Sequence, residues 1–308
     1  MVYSWRFIVL LALLCSIGCE EPVELDLPVP NSKIAISSEF GPNRPFEVSL
    51  SNSVSSISSA NIQFLANANV TIWEGDKLFE ALRLVRDPLT NIPYYRSRNR
   101  TSTSHRAYRI VVEVPGYPTA SAEDLIPEAT PIQRFTLDRI ERQSSDAENQ
   151  NYDVEFSLDF RPDPASDFYH LIVYYEAKYI FSNPPGTNLI NNDRNVIAVV
   201  DVSNNPRSLT HFSKGMLIRS SDIPGAVAQF RLQGVARQHR AQAPMNRRLV
   251  AELRTVSPDY YHFHSSFTRQ LSQTDSILGQ PVVLHNNIEN GLGSFAAYNY
   301  VEAILELD

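Results

Sequence analysis

Seven histidines, two cysteines and 34 acidic side chains are the reactive inventory of this 308-residue chain. Their spacing argues against covalent chemistry. There is no Gly-x-Ser-x-Gly elbow, no His-Glu-x-x-His helix, no phosphate-cradling P-loop and no Gly-x-Gly-x-x-Gly fingerprint. His105, His170, His211, His239 and His285 stand apart, and only His262 and His264 are close. Two positions apart on a helix, they point to different faces, because neighbours on one face are three or four apart. A shared metal ion is therefore not expected. Asp259 and Glu289 are acids of the kind a carboxylate pair needs, but nothing in the sequence brings them together. Asn191-Asn192-Asp193 reads as a turn, since the alternating acids of a calcium loop are missing. No catalytic residue, metal or cofactor is assigned, and the expected function is non-enzymatic.

One thiol remains. Arg6 is followed by an uncharged run over residues 7–17, then Gly18, Cys19, Glu20 and Glu21. Positive charge, apolar run and small residue form the order of a secretory signal. The run is too short to span a bilayer, which takes about 20 residues. Cleavage before Cys19 removes Cys15 and leaves one cysteine, so no intramolecular disulfide forms and the exported domain depends on its apolar core.

The segment Ser16-Ile17-Gly18-Cys19 resembles the lipobox of bacterial lipoproteins, with Ser16 where leucine is usual. The resemblance implies that Cys19 carries a thioether-linked diacylglycerol and becomes the mature N-terminus. Two or three acyl chains hold a protein firmly to a membrane where one does not. Cys15 is the poorer site, because Leu14 precedes it where a small residue is wanted. Glu20-Glu21 resembles an acidic outer-face sorting signal and reads equally well as solvated linker charge.

Composition bounds what the anchored part can be. The net charge of −7 and the absence of a basic run make a nucleic-acid partner unexpected. Tyrosine, phenylalanine and β-branched residues set between 20 prolines point to a mainly β chain with many turns. The expected organisation is a signal over 1–18, a tether over 19–32, an N-terminal β-sandwich of immunoglobulin- or transthyretin-like shape over 33–127, and a C-terminal β-rich domain over 131–308. Pro127 and Pro131 mark the linker.

Within the first unit, residues 33–40, 45–54, 69–85, 94–97 and 107–114 alternate apolar and polar side chains as strands do, with a hairpin turn at Glu74-Gly75-Asp76. Within the second, 132–142, 152–160, 168–181, 196–202, 228–237 and 298–307 read as strands, and 182–194 and 203–225 as loops. Ser257, Pro258 and Asp259 form a helix start. Tyr260, Phe263, Phe267 and Leu271 then recur at helical spacing, which predicts an amphipathic helix near 258–274 packing those side chains on the second sheet. Asn290, Gly291 and Gly293 read as tight turns.

The order of several short motifs carries a family resemblance: the lipobox-like start, the Val-Glu-Leu-Asp-Leu-Pro tether, Ala-Asn-Val-Thr-Ile-Trp-Glu-Gly at 68–75, the 108–127 segment, the helix at 257–267 and the asparagine–glycine stretch at 287–295. Together they resemble domain-of-unknown-function family 4249 of bacterial outer-membrane lipoproteins. Ala296-Ala297 departs from it where members often carry glycines. The resemblance implies an outer-membrane lipoprotein, on the surface or the periplasmic face, often encoded near a TonB-dependent receptor, and assigns no activity. The expected function is thus a binding accessory of such a receptor. The alternatives are a stand-alone carbohydrate- or peptide-binding module, using aromatics such as Trp73 or Tyr94-Tyr95, and an unrecognised hydrolase. Arg96, Arg98, Arg100 and Arg106 form a local basic patch, read either as solvated loop charge or as a contact for anionic surfaces.

Overall fold

The computed structural model describes residues 32–53, 62–143, 149–183, 187–203, 210–212, 215–239, 244–273 and 282–307. Cys19, its signal and most of the tether lie outside the described residues. In chain order the strands are β1 (Ile34–Phe40), β2 (Pro45–Asn52), β3 (Asn69–Glu74), β4 (Lys77–Ala81), β5 (Arg83–Arg86), β6 (Pro93–Thr101), β7 (Ala107–Glu113) and β8 (Ala120–Leu125). They continue with β9 (Ile132–Arg142), β10 (Asn149–Phe160), β11 (Phe168–Asn183), β12 (Thr187–Ile197) and β13 (Val199–Asp201). The last are β14 (Thr210–Phe212), β15 (Gly215–Arg219), β16 (Ala228–His239), β17 (Asn246–Val256) and β18 (Gly291–Glu306). Among the described residues there is one α-helix, α1 (Pro258–Gln273), in the C-terminal half, and the described chain is mainly β, as its composition predicts.

A ten-stranded sheet of order β14-β15-β11-β17-β18-β1-β2-β6-β5, with β12 paired to β11, runs through the molecule. Two four-stranded sheets, β4-β3-β7-β8 and β13-β16-β10-β9, pack against its two halves. The alternation read from the sequence decides which side chains fill each interior: Ile34, Ile36 and Phe40 of β1 and Tyr108, Ile110 and Val112 of β7 in the first core, Val154, Phe156 and Leu158 of β10 in the second. The first core closes on an aromatic cluster in which Phe40 stacks on Phe295 at 4.4 Å. Truncating Phe40 to Ala should cost about 3–5 kcal/mol.

The strand β18 serves both cores. It runs parallel to β1 and antiparallel to β17. Its sixteen residues reach about 50 Å at strand rise. Phe295 and Ala297 pack in the first core, and Val301, Leu305 and Leu307 pack in the second. Residues 32–308 form one compact unit. At the passage between the cores, Asn299 donates to the Pro127 carbonyl at 2.8 Å, and the Thr130 amide donates to Thr255 Oγ1 at 3.0 Å.

Four local readings need correction. Residues 203–225, expected as loop, contain β14 and β15, and Met216, Leu217 and Ile218 are all fully buried. Both faces of β15 are covered, so no alternation marks it. Residues 182–194, also expected as loop, run mostly within β11 and β12, and Asn191-Asn192-Asp193 sits in a strand rather than a turn. Pairing with β11 holds that polar stretch extended in place of intrinsic propensity. A full strand, β17, occupies 246–256 where the sequence reading places none. Finally, Gly293 lies inside β18: its φ is +110°, and a Cβ there would sit 2.0 Å from the Ile36 carbonyl oxygen. The glycine lets β18 approach β1 rather than making a turn.

Candidate functional site

The face of the long sheet turned away from both cores carries the most organised polar chemistry among the described residues. Strand alternation puts Glu252 and Arg254 of β17 there, because Leu249, Ala251 and Leu253 take the second core. By the same rule β18 presents Tyr298, Tyr300 and Glu302, β11 presents His170, Tyr174 and Glu176, and β1 presents Glu39. Arg44 enters from the turn between β1 and β2. Gly41 makes that turn possible, since a Cβ there would lie 2.7 Å from the Tyr298 ring.

Glu252, 1% exposed, is the centre. Arg254 Nε lies 2.6 Å from its carboxylate, Arg44 Nη2 3.1 Å and Arg194 Nη2 3.6 Å. Burial pushes the Glu252 pKa up, but Arg254 and Arg44 outweigh it and hold the carboxyl below its usual range. Arg254 also donates to the Tyr260 hydroxyl at 3.0 Å and approaches Glu39 at 3.4 Å. The Tyr260 hydroxyl lies 2.9 Å from His170 Nδ1. Burial, reinforced by Arg254, depresses the His170 pKa well below its ordinary value, so that ring is neutral at pH 7. His264 meets Glu39 at 2.9 Å. Burial acts upward on Glu39, yet His264 and Arg254 bring its carboxyl down to about 2.

Outward from this centre the network becomes half-exposed. Arg194 bridges Glu176 at 2.9 Å and Glu302 at 2.8 Å, and Arg248 holds the other Glu176 oxygen at 2.5 Å. The guanidiniums lie on tyrosine faces: Arg194 is 3.9 Å from the Tyr174 ring centroid, Arg44 4.3 Å from Tyr300 and Arg254 4.4 Å from Tyr298. Those aromatic faces are therefore occupied by arginine and are not open for stacking on a sugar. A cleft of about 590 Å³ lined by Glu176, Lys178, Arg194, Arg248 and Met245 opens beside them.

The helix α1 covers the inner part of this face. Ser257 accepts the Tyr260 amide at 3.2 Å, the N-cap bond its sequence predicts. The buried side is not the expected stripe, however. Tyr260, Tyr261, His264 and Ser265 are buried, Phe263 and Phe267 are half-buried, and Leu271 is 56% exposed. The floor is mixed: Tyr260 and Tyr261 pack with Leu217, Val256 and Ala296, while the Tyr260 hydroxyl and His264 turn toward Arg254 and Glu39. Asp124 of β8 fixes the helix start by accepting from Ser257 Oγ at 2.5 Å and from the Ala297 amide at 2.7 Å. Burial raises its pKa to about 6 against those bonds.

The other sequence candidates fall elsewhere. His262 and His264 do point apart: His262 rests against the His285 ring at 5.5 Å, while His264 faces Glu39. Asp259 pairs with His285 at 2.7 Å and with Asn287 at 3.0 Å, and Glu289 accepts from Ser121, so the two acids are not brought together. Arg96 pairs with Glu47 and Arg106 with Glu74. Tyr95 is buried with its hydroxyl bonded to Ala68 and Leu65, and Trp73 is half-buried with Arg109 over its ring. Among the described residues no group of three His, Cys, Asp or Glu side chains is arranged to hold a metal ion.

Sequence reasoning missed Glu39, Arg44, Glu252 and Arg254 as a group. The available signal was the Leu-Val-Ala-Glu-Leu-Arg-Thr-Val alternation at 249–256, which puts charge on one face of an otherwise apolar strand.

The description "Domain of unknown function (DUF4249)" matches residues 20–304. No curated protein matches the chain.

Proposed function

The chain belongs to the DUF4249 family, and on that premise we propose that it is a lipid-anchored outer-membrane lipoprotein that works by binding, as an accessory of a TonB-dependent receptor. Diacylglycerol on Cys19 holds the mature chain at the membrane. The tether leads to Ser32, and the β scaffold presents the arginine–tyrosine face to its partner. The observation that carries the reading is the make-up of that face. Tyrosine and arginine are the residues enriched where protein interfaces concentrate their binding energy. Here they are held in place beforehand by Glu176, Glu252 and Glu302, which lowers the ordering cost of association. Their charges are matched to one another, which suits docking rather than proton transfer.

The test is co-purification from detergent-solubilised outer membranes of cells carrying tagged protein. A receptor should be recovered with the wild type and lost with Tyr300→Ala combined with Arg194→Glu. Recovery of no receptor with the wild type, or equal recovery with the variant, would contradict the reading.

A further inference from the structure

We propose that the cleft between β12 and β16 binds an extended peptide of alternating apolar and basic side chains, added as a strand to the free edge of β16. The strand β16 is paired with β10 along its whole length, from His239 opposite Asn149 to Ala228 opposite Phe160. On its other side β13 covers only Leu232, Gln233 and Gly234. Among the described residues no strand lies opposite Val235, Ala236, Arg237 and Gln238 on that side. The covering chain leaves because Ile197 and Ala198 step across to the long sheet. Gly234 permits the crossing, since a Cβ there would sit 2.6 Å from Ile197 Cγ2 and 2.9 Å from the Ala198 carbonyl oxygen.

The vacated rungs open on a cleft of about 810 Å³, the size of a ligand site. Backbone polarity follows from the pairing. The Arg231 carbonyl accepts from the Val202 amide, so Arg231 turns its peptide groups toward β13. Every second residue does the same, and Val235 and Arg237 therefore aim their N–H and C=O groups into the cleft. Val200 and Val235 line it with 56% and 42% of their surfaces exposed, an apolar strip beside an open strand edge. Such an edge is a template for a further strand. The charge of the occupant follows from Asp153 and Asp193, which among the described residues line the cleft against one cation, Arg237. Apolar side chains on alternate positions meet the valines, and a lysine or arginine between them meets the aspartates. The cleft uses the face of β11 and β12 opposite to the one that carries Tyr174, Glu176 and Arg194, since Asp193 pairs with Ala177 of the second core, so it stands whether or not the arginine–tyrosine face docks a receptor.

The test uses detergent-solubilised full-length protein and a short labelled peptide of alternating valine and lysine. Fluorescence anisotropy should show saturable binding, and hydrogen exchange should slow at the Val235 and Arg237 amides. A proline at the centre of the probe, or glutamate in place of its lysines, should weaken binding at least about tenfold, since each removes a strand bond or reverses the charge match. Asp153→Lys with Asp193→Lys should weaken the lysine probe similarly while receptor co-purification is unchanged. Should those substitutions disturb folding, the proline probe on wild-type protein still decides. No saturable binding, equal binding of the proline probe, or binding without protection at Val235 and Arg237 overturns the proposal.

Discussion

Glutamate–arginine pairs occur in two settings in this molecule, and the contrast shows which charges the fold depends on. Across β2 and β6 of the long sheet Arg96 meets Glu47 at 3.3 Å, with side chains 42% and 51% exposed. Beneath α1 Arg254 meets Glu252 at 2.6 Å, with side chains 10% and 1% exposed. Water screens the first pair and can replace either partner. The second pair has exchanged its water for Arg44, Tyr260 and Tyr298, and removal of Arg254 leaves the Glu252 charge buried without its shortest partner, with only Arg44 and the longer contact to Arg194 remaining.

The comparison breaks first at Arg254. Arg254→Ala should destabilise the fold by about 3–5 kcal/mol in urea unfolding, because Glu252 stays buried. Glu252→Met together with Arg254→Met should recover much of that loss, which distinguishes an under-compensated buried charge from lost packing. A backbone control comes next: Gly293→Ala places a side chain at positive φ against the Ile36 carbonyl and should lower stability by at least about 1–3 kcal/mol in thermal unfolding.

A pH series on Asp124→Asn sharpens the account of the helix start. The folded pKa of Asp124 is raised to about 6 from an ordinary 3.8. Its contribution is therefore fully present below the unfolded value and is lost as pH rises through about 6. Wild type should gain stability relative to Asp124→Asn between about pH 7 and 5, and a flat difference would refute the burial of that carboxyl. The smallest effect is expected at Arg96→Ala, within about 1 kcal/mol and shrinking further in salt.

How much of this was legible in the sequence follows the same division. Strands with one wet and one dry face announced themselves, as in β1, β7 and β10, and Ser257-Pro258-Asp259 announced the helix. Strands covered on both faces or held by a neighbour did not: β15 shows no alternation and β12 no propensity. The helix stripe differs from the expected one because apolar spacing presumes a wholly apolar floor, whereas Tyr260 both shares an apolar cluster with Leu217, Val256 and Ala296 and bonds Arg254 and His170. The site itself joins β1, β11, β12, β17, β18, α1 and a turn, so no local motif contains it. The signal for Cys19, in contrast, is entirely local, which is why sequence alone could propose it.

Every step of the proposed role requires the mature chain to be held at the membrane. Intact-mass spectrometry of the protein extracted from its own cells tests this most directly. A mature chain beginning at Cys19, heavier by a diacylglyceryl group and found with the membranes, is the predicted result. An unmodified Cys19 on a freely soluble chain would contradict the account.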